Sequence, residues 1–162
     1  MTTPTHLLIG TVIAKAALLT GAPVNAQHIY TVAIVSASIP DIDVLYYGVN
    51  PQHHKSLLHK PIFWVSLFIL WFGVKQYILV SASSSLLTLI SIGLWSHFLL
   101  DTGNYTTGVQ WLWPFSKKIF HYFPFADRPK TAKKRWQICL HHPTFIFELT
   151  LIFGSLLFLR FF

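Results

Sequence analysis

The sequence predicts an all-α fold, a polytopic transmembrane helical bundle of four to five spans with an interfacial aromatic and basic loop. Three observations carry that prediction. Hydrophobic residues make up 53% of the chain and charged residues only 10%, against the usual quarter of charged residues in soluble domains. The mean hydropathy is +0.53, and the apolar residues gather into five long segments. At about 20 residues per bilayer-crossing helix, four or five spans fill the 162 residues, so a single integral membrane domain, 1–162, is expected.

The first segment, residues 5 to 22, opens on His6. Val24-Asn25-Ala26 after it resembles a signal-peptidase site, but no Lys or Arg occurs in the first 14 residues and Lys15 interrupts the apolar run, so an uncleaved span is expected. The second segment, 28 to 47, ends in Pro40-Asp41-Ile42-Asp43. Proline lacks a backbone donor and restricts its predecessor, which favours a helix break and lets both carboxylates turn toward one centre. The loop 48 to 60 holds His54, Lys55, His59 and Lys60. The third and fourth segments, 61 to 76 and 80 to 100, meet at Lys75-Gln76 and the serines between 81 and 85, either of which offers a turn.

His97 and Asp101 close the fourth segment. Four residues apart on a helix, they share one face. In the loop 101 to 142, Lys117, Lys118, Arg128, Lys130, Lys133, Lys134 and Arg135 are interleaved with aromatics such as Trp111, Trp113 and Phe120. That pattern suits an anchor in an anionic headgroup layer, with a lid or lipid-binding surface as the sharper alternative. His141 and His142 precede the fifth segment, 143 to 161, which carries Glu148; a basic residue such as Lys15 is a candidate partner for that acid.

The net charge of +7 lies mostly in loops beside apolar segments, which is the topology signal of membrane proteins. No nucleic-acid partner is expected, and membrane lipid is. The basic loop belongs in the cytoplasm by the positive-inside rule, as then do the 48 to 60 loop and the N-terminus, in a bacterial inner membrane. The lone Cys139 excludes an internal disulfide and a cysteine-based metal site.

Of the five acids, Asp41, Asp43, Asp101 and Glu148 adjoin or interrupt apolar segments. An ionisable group there is costly unless paired, which makes it a functional-site hypothesis. The alternating topology brings His6, Asp41, Asp43, His54, His59, His97 and Asp101 to one side, with Glu148 and, as the weakest candidates, His141 and His142, although the basic-residue count used none of them. Each has an ordinary explanation alone, as a helix-end pair or a solvated loop residue; a metal site accounts for them together. Imidazole and carboxylate ligands suit Zn, Mn, Fe or Mg.

Four blocks occur in order: TPTHLLIG, SIPDID, HHKSLLHK and SHFLLDTGNYTTGVQWLWPF. In these the chain resembles the YdjM-like family of inner-membrane, metal-dependent hydrolases associated with the LexA regulon. The resemblance covers residues 1 to 116 well and the C-terminal span loosely. It implies a ligand role for His6, Asp41, Asp43, His54, His59, His97 and Asp101. The third block departs from the family form HRGxTHS, with Lys55 in place of the Arg, Ser56 of the Gly and Leu58 of the Thr.

No serine elbow, phosphate loop or zincin signature occurs, so the expected chemistry is hydrolysis by metal-activated water on a phosphoester or lipid-like substrate. Asp41, Asp43, His97 and Asp101 are the leading ligands and catalytic residues, with His6, His54 and His59 next. A member of the set that binds no metal is a candidate general base, and Lys55 or Lys60 a partner for an anionic headgroup. The alternative is a non-enzymatic membrane protein with a structural metal, or a metal-ion carrier.

Overall fold

The computed structural model describes residues 2–21, 24–47, 56–75, 84–104, 107–124, 137–138 and 140–162. Most of the described residues are helical: α1 (Thr3–Leu19), α2 (Ala26–Ser38), α3 (Val44–Tyr47), α4 (Pro61–Lys75), α5 (Ser84–Thr102) and α6 (Pro143–Phe161). Two 3-10 turns, Ile39–Asp43 and Leu57–His59, complete the set. Local chemistry explains several ends. The Asn25 side chain accepts a hydrogen bond from the Gln27 N–H at 2.8 Å and caps α2. His142 caps α6 through Nδ1, with Pro143 at the first helical position.

The expected helix break at Pro40 is instead a tightening. The chain passes through the 3-10 turn Ile39–Asp43 and resumes as α3, so that Ala26–Tyr46 remains one apolar stretch long enough to span a bilayer. Ser85–Thr102 and Pro143–Phe161 are also long and apolar enough. α1 and α4, with 17 and 15 residues, are apolar but shorter. At 1.5 Å per residue they rise about 26 and 22 Å, against about 30 Å of hydrocarbon. Five apolar helices agree with a bundle of four to five spans.

α2 lies at the centre of the bundle and packs on α1 and α5. Hydrocarbon tails are as apolar as leucine, so helices associate in a bilayer through close approach at small residues. A Cβ on Gly10 of α1 would sit 2.7 Å from the Ile34 Cα of α2, and one on Gly93 of α5 would sit 2.9 Å from the Ala37 N. Ala14, Ile29, Ala33 and Leu89 fill the core. Leu45, Tyr46, Phe153 and Phe161 stand outward, as lipid-facing side chains do.

α6 is tied to α1 by polar contacts. Glu148 Oε1 accepts from the Thr2 N–H and from the hydroxyls of Thr2 and Thr5. Its partners are therefore these groups rather than Lys15. Within the long loop, Val109 and Phe120 pair through two backbone hydrogen bonds of 3.2 and 2.9 Å. Gly108 at φ +56° permits the approach, since a Cβ there would meet the Phe120 carbonyl. Trp111 stacks on Trp95 at 5.9 Å and donates from Nε1 to Thr102, which folds the loop back onto the end of α5.

Candidate metal centre

The close approach of α5 to α2 at Gly93 brings His97, one turn later, against the end of α2. There His97 Nδ1 donates to the Ala37 carbonyl at 2.9 Å. This bond places the lone pair on Nε2, which is buried and makes no hydrogen bond. On the same helix face, Asp101 Oδ2 lies 3.3 Å from His97 Nε2. Both residues are fully buried.

The two 3-10 turns supply the rest of the group. Asp41 Oδ1 is 3.4 Å from His59 Nε2 and 3.8 Å from His97 Nε2, and Asp101 Oδ2 is 3.7 Å from His59 Nε2. One ligand atom from each of Asp41, His59, His97 and Asp101 lies within 4.8 Å of the others. Four atoms around a cation at 2.1 Å in tetrahedral order would be about 3.4 Å apart, close to the four carboxylate–imidazole distances. Two carboxylates with two imidazoles on Nε2 balance the charge of one divalent cation. The donor set and the unbonded His97 Nε2 fit a metal ion such as Zn, Mn, Fe or Mg.

Asp43 takes a different place. A 3-10 turn has three residues per turn, so residues two apart point in directions about 120° apart. Asp41 reaches the Nε2 side of His59, whereas Asp43 Oδ2 lies 3.1 Å from its Nδ1. Asp43 thus stands behind His59, in the carboxylate–histidine arrangement that orients metal-binding imidazoles, rather than among the four ligand atoms. Burial alone would lower the pKa of His59, but the carboxylates of Asp41 and Asp43 outweigh it and hold it at about 9.

His6 lies one step out. Its Nε2 is 3.1 Å from Asp101 Oδ1, the oxygen turned away from the group, and its ring stacks on His97 at 4.0 Å. His6 Nδ1 is buried and makes no hydrogen bond. The Nζ of Lys60, a buried residue, donates to Gln110 Oε1. His54 and Lys55 lie outside the described residues. His142, one of the weaker sequence candidates, holds α6 by its cap and by a hydrogen bond of 2.9 Å between its Nε2 and the Pro124 carbonyl.

The supporting groups were not singled out from sequence. The Thr3 hydroxyl donates to Asp41 Oδ2 at 2.9 Å and the Ser56 hydroxyl to Asp43 Oδ2. Their signal is position alone: each hydroxyl lies three residues before a histidine of the set. The Ala37 carbonyl has no side-chain signal.

A family model described as YdjM inner membrane protein matches residues 1–161 of the chain. No curated protein and no solved structure matches it.

Proposed function

The chain belongs to the YdjM inner membrane protein family, and from that premise we propose a membrane-embedded, metal-dependent hydrolase acting on a phosphoester or lipid-like substrate at the cytoplasmic leaflet. The observation that carries this reading is the meeting of Asp41, His59, His97 and Asp101 from three separate elements at the end of the bundle. When bound, a divalent cation there lowers the pKa of water and neutralises charge developing on the substrate.

The chain's own groups have separable tasks. Asp41 and Asp101 supply the compensating negative charge. Ala37 and Asp43 fix the tautomers of His97 and His59, so that both present Nε2. His6, the imidazole outside the group of four, is the candidate general base. Lys60, next in sequence to His59, is the candidate partner for an anionic head. The basic loop supports the cytoplasmic side.

One observation favours a second reading. Four protein ligands with His97 and Asp101 fully buried make a closed set, as in structural metal sites, whereas catalytic sites keep one position open. The metal would then hold the Ile39–Asp43 turn, α5 and the Leu57–His59 turn together. A metal-ion carrier has less support, because the helix crossing at Ala14, Ile29, Ala33 and Leu89 is apolar.

Metal analysis of detergent-purified wild type, Asp41→Ala and His97→Ala, paired with a phosphoester and lipid hydrolysis screen, decides among these. Stoichiometric metal in wild type, lost in both variants together with turnover, supports the hydrolase. Metal without turnover favours the structural reading, and wild type that retains no Zn, Mn or Mg after loading removes the centre altogether. For sidedness, Lys117→Cys in a Cys139→Ser background should resist a membrane-impermeant thiol reagent in intact cells; labelling would overturn the cytoplasmic placement.

A further inference from the structure

α4 begins two residues after His59, and its close packing among the described elements is on the Leu57–His59 turn. Between α4 and α5 lies a groove of about 530 Å³, lined by Trp64, Phe68 and Trp71 on one side and Leu87, Ile90 and Leu94 on the other. Every residue lining it is apolar or aromatic.

Three features identify what would fill it. The first is length. From Trp64 to Val74, the last α4 residue that lines the groove, α4 advances ten residues, or about 15 Å at 1.5 Å per residue. This is half of the hydrocarbon thickness of about 30 Å, the depth of a single leaflet. The second is where the groove starts. Leu94 precedes His97 by one turn, and Trp64, whose Nε1 donates to the Leu58 carbonyl at 2.8 Å, follows Lys60 by one turn. The third is charge. Lys60 and Lys117, with Leu57, Gln110 and Trp113, line a separate pocket of about 230 Å³ beside the same turn. Cationic pocket, metal-ligand cluster and apolar slot therefore all adjoin the segment 57–60.

We propose that the α4–α5 groove seats one hydrocarbon chain of a lipid with a net anionic phosphate head, which lies at the cluster. The chain occupies the depth of the leaflet beside α5, and Lys60 and Lys117 face the anionic head. This rests on the hydrolase reading and narrows its substrate to an amphiphile whose reacting bond lies at the membrane surface. An apolar slot walled by two helices also explains why α4 stands off α5: hydrocarbon in the gap replaces side-chain packing at no loss of apolar contact.

The test uses the full-length, metal-loaded protein in phosphatidylcholine nanodiscs containing phosphatidic acid with a photoreactive diazirine at the end of one chain. After irradiation, adducts are mapped by mass spectrometry. The terminal diazirine should label the Val74 and Leu87 end several-fold more than Phe153 and Leu156 on the exposed face of α6. A diazirine near the head should shift the labels to Trp64 and Leu94. Ile90→Trp, which fills the groove, should reduce these adducts several-fold while metal content is unchanged.

Groove labelling no stronger than on α6, or equal labelling by a photoreactive phosphatidylcholine, overturns the proposal. So does a crosslink joining the groove to another part of the chain or to a second copy. The wild-type map stands even if the variant fails to fold. Labelling needs no turnover, so failure of the chain seat and failure of the hydrolase reading appear in different assays.

Discussion

Asp43→Asn separates a metal ligand from a residue that stands behind one. Asp43 contacts His59 at Nδ1, whereas Nε2 faces Asp41 and Asp101. Losing such an outer carboxylate lowers metal affinity about 10- to 100-fold, or about 1.4 to 2.7 kcal/mol at 1.36 kcal/mol per decade. Proton competition acts in the opposite direction. With a pKa of about 9, His59 holds a proton at pH 7, two units below. That proton must leave before Nε2 can bind a cation, so wild-type apparent affinity should rise from pH 7 to pH 9, by at most about tenfold per unit. The substitution removes one of the two carboxylates that raise this pKa and so reduces the competition. Asp43→Asn should therefore bind metal about 10- to 100-fold more weakly than wild type at pH 9 and show a clearly smaller deficit at pH 7, while His97→Ala should lose the metal at both. Competition with a chromophoric chelator on dialysed, detergent-purified protein gives the constants. Equal losses for Asp43→Asn and His97→Ala at both pH values would make Asp43 a ligand, and a flat wild-type affinity from pH 7 to 9 would remove the proton from His59.

The metal-free fold should itself depend on pH. The His59 value lies above its ordinary 6.5, so the stabilisation is complete below about pH 6.5 and is lost as the pH rises through about 9; chelator-treated protein should melt at lower temperature across that window, and metal-loaded protein should not. Gly93→Val would push side-chain atoms into Ser36 and the Ala37 backbone, at about 1–3 kcal/mol for overpacking. It should also weaken metal binding with every ligand intact, because His97 loses its hold on the Ala37 carbonyl; thermal unfolding and chelator competition measure the two effects. Glu148→Ala removes the acceptor of three hydrogen bonds from Thr2 and Thr5, a loss of about 1–3 kcal/mol. It should expose α6 to limited proteolysis while leaving metal affinity unchanged.

The parts of this architecture that depend on periodicity were legible in the sequence. Apolar runs mark the helices because hydrocarbon tolerates no unpaired backbone, and the spacing of His97 and Asp101 places both on one helix face. Asp41 and Asp43 were harder, because their roles depend on the pitch of the segment that holds them. Read as a helix break, the segment lets both acids reach one centre; wound as a 3-10 turn, it sends them to opposite sides of His59. His6 behaves similarly: its distance from the cluster depends on how closely α1 packs on α2, which Gly10 decides and no ligand pattern records. Lys60 reads as an exposed loop cation by composition, but it is buried against Gln110, fifty residues away. Pairings of that range leave no local trace.

The 3-10 turn that carries His59 is only three residues long and is anchored unequally. On one side Asp43 and Ser56 hold it to the bundle, and on the other it runs straight into α4. α4 therefore acts as a lever arm with its fulcrum at a candidate metal ligand. The tilt of a helix in a bilayer responds to its neighbours and to the thickness of the hydrocarbon around it. A change in the tilt of α4 would therefore reach the imidazole of His59 before the other three members of the cluster.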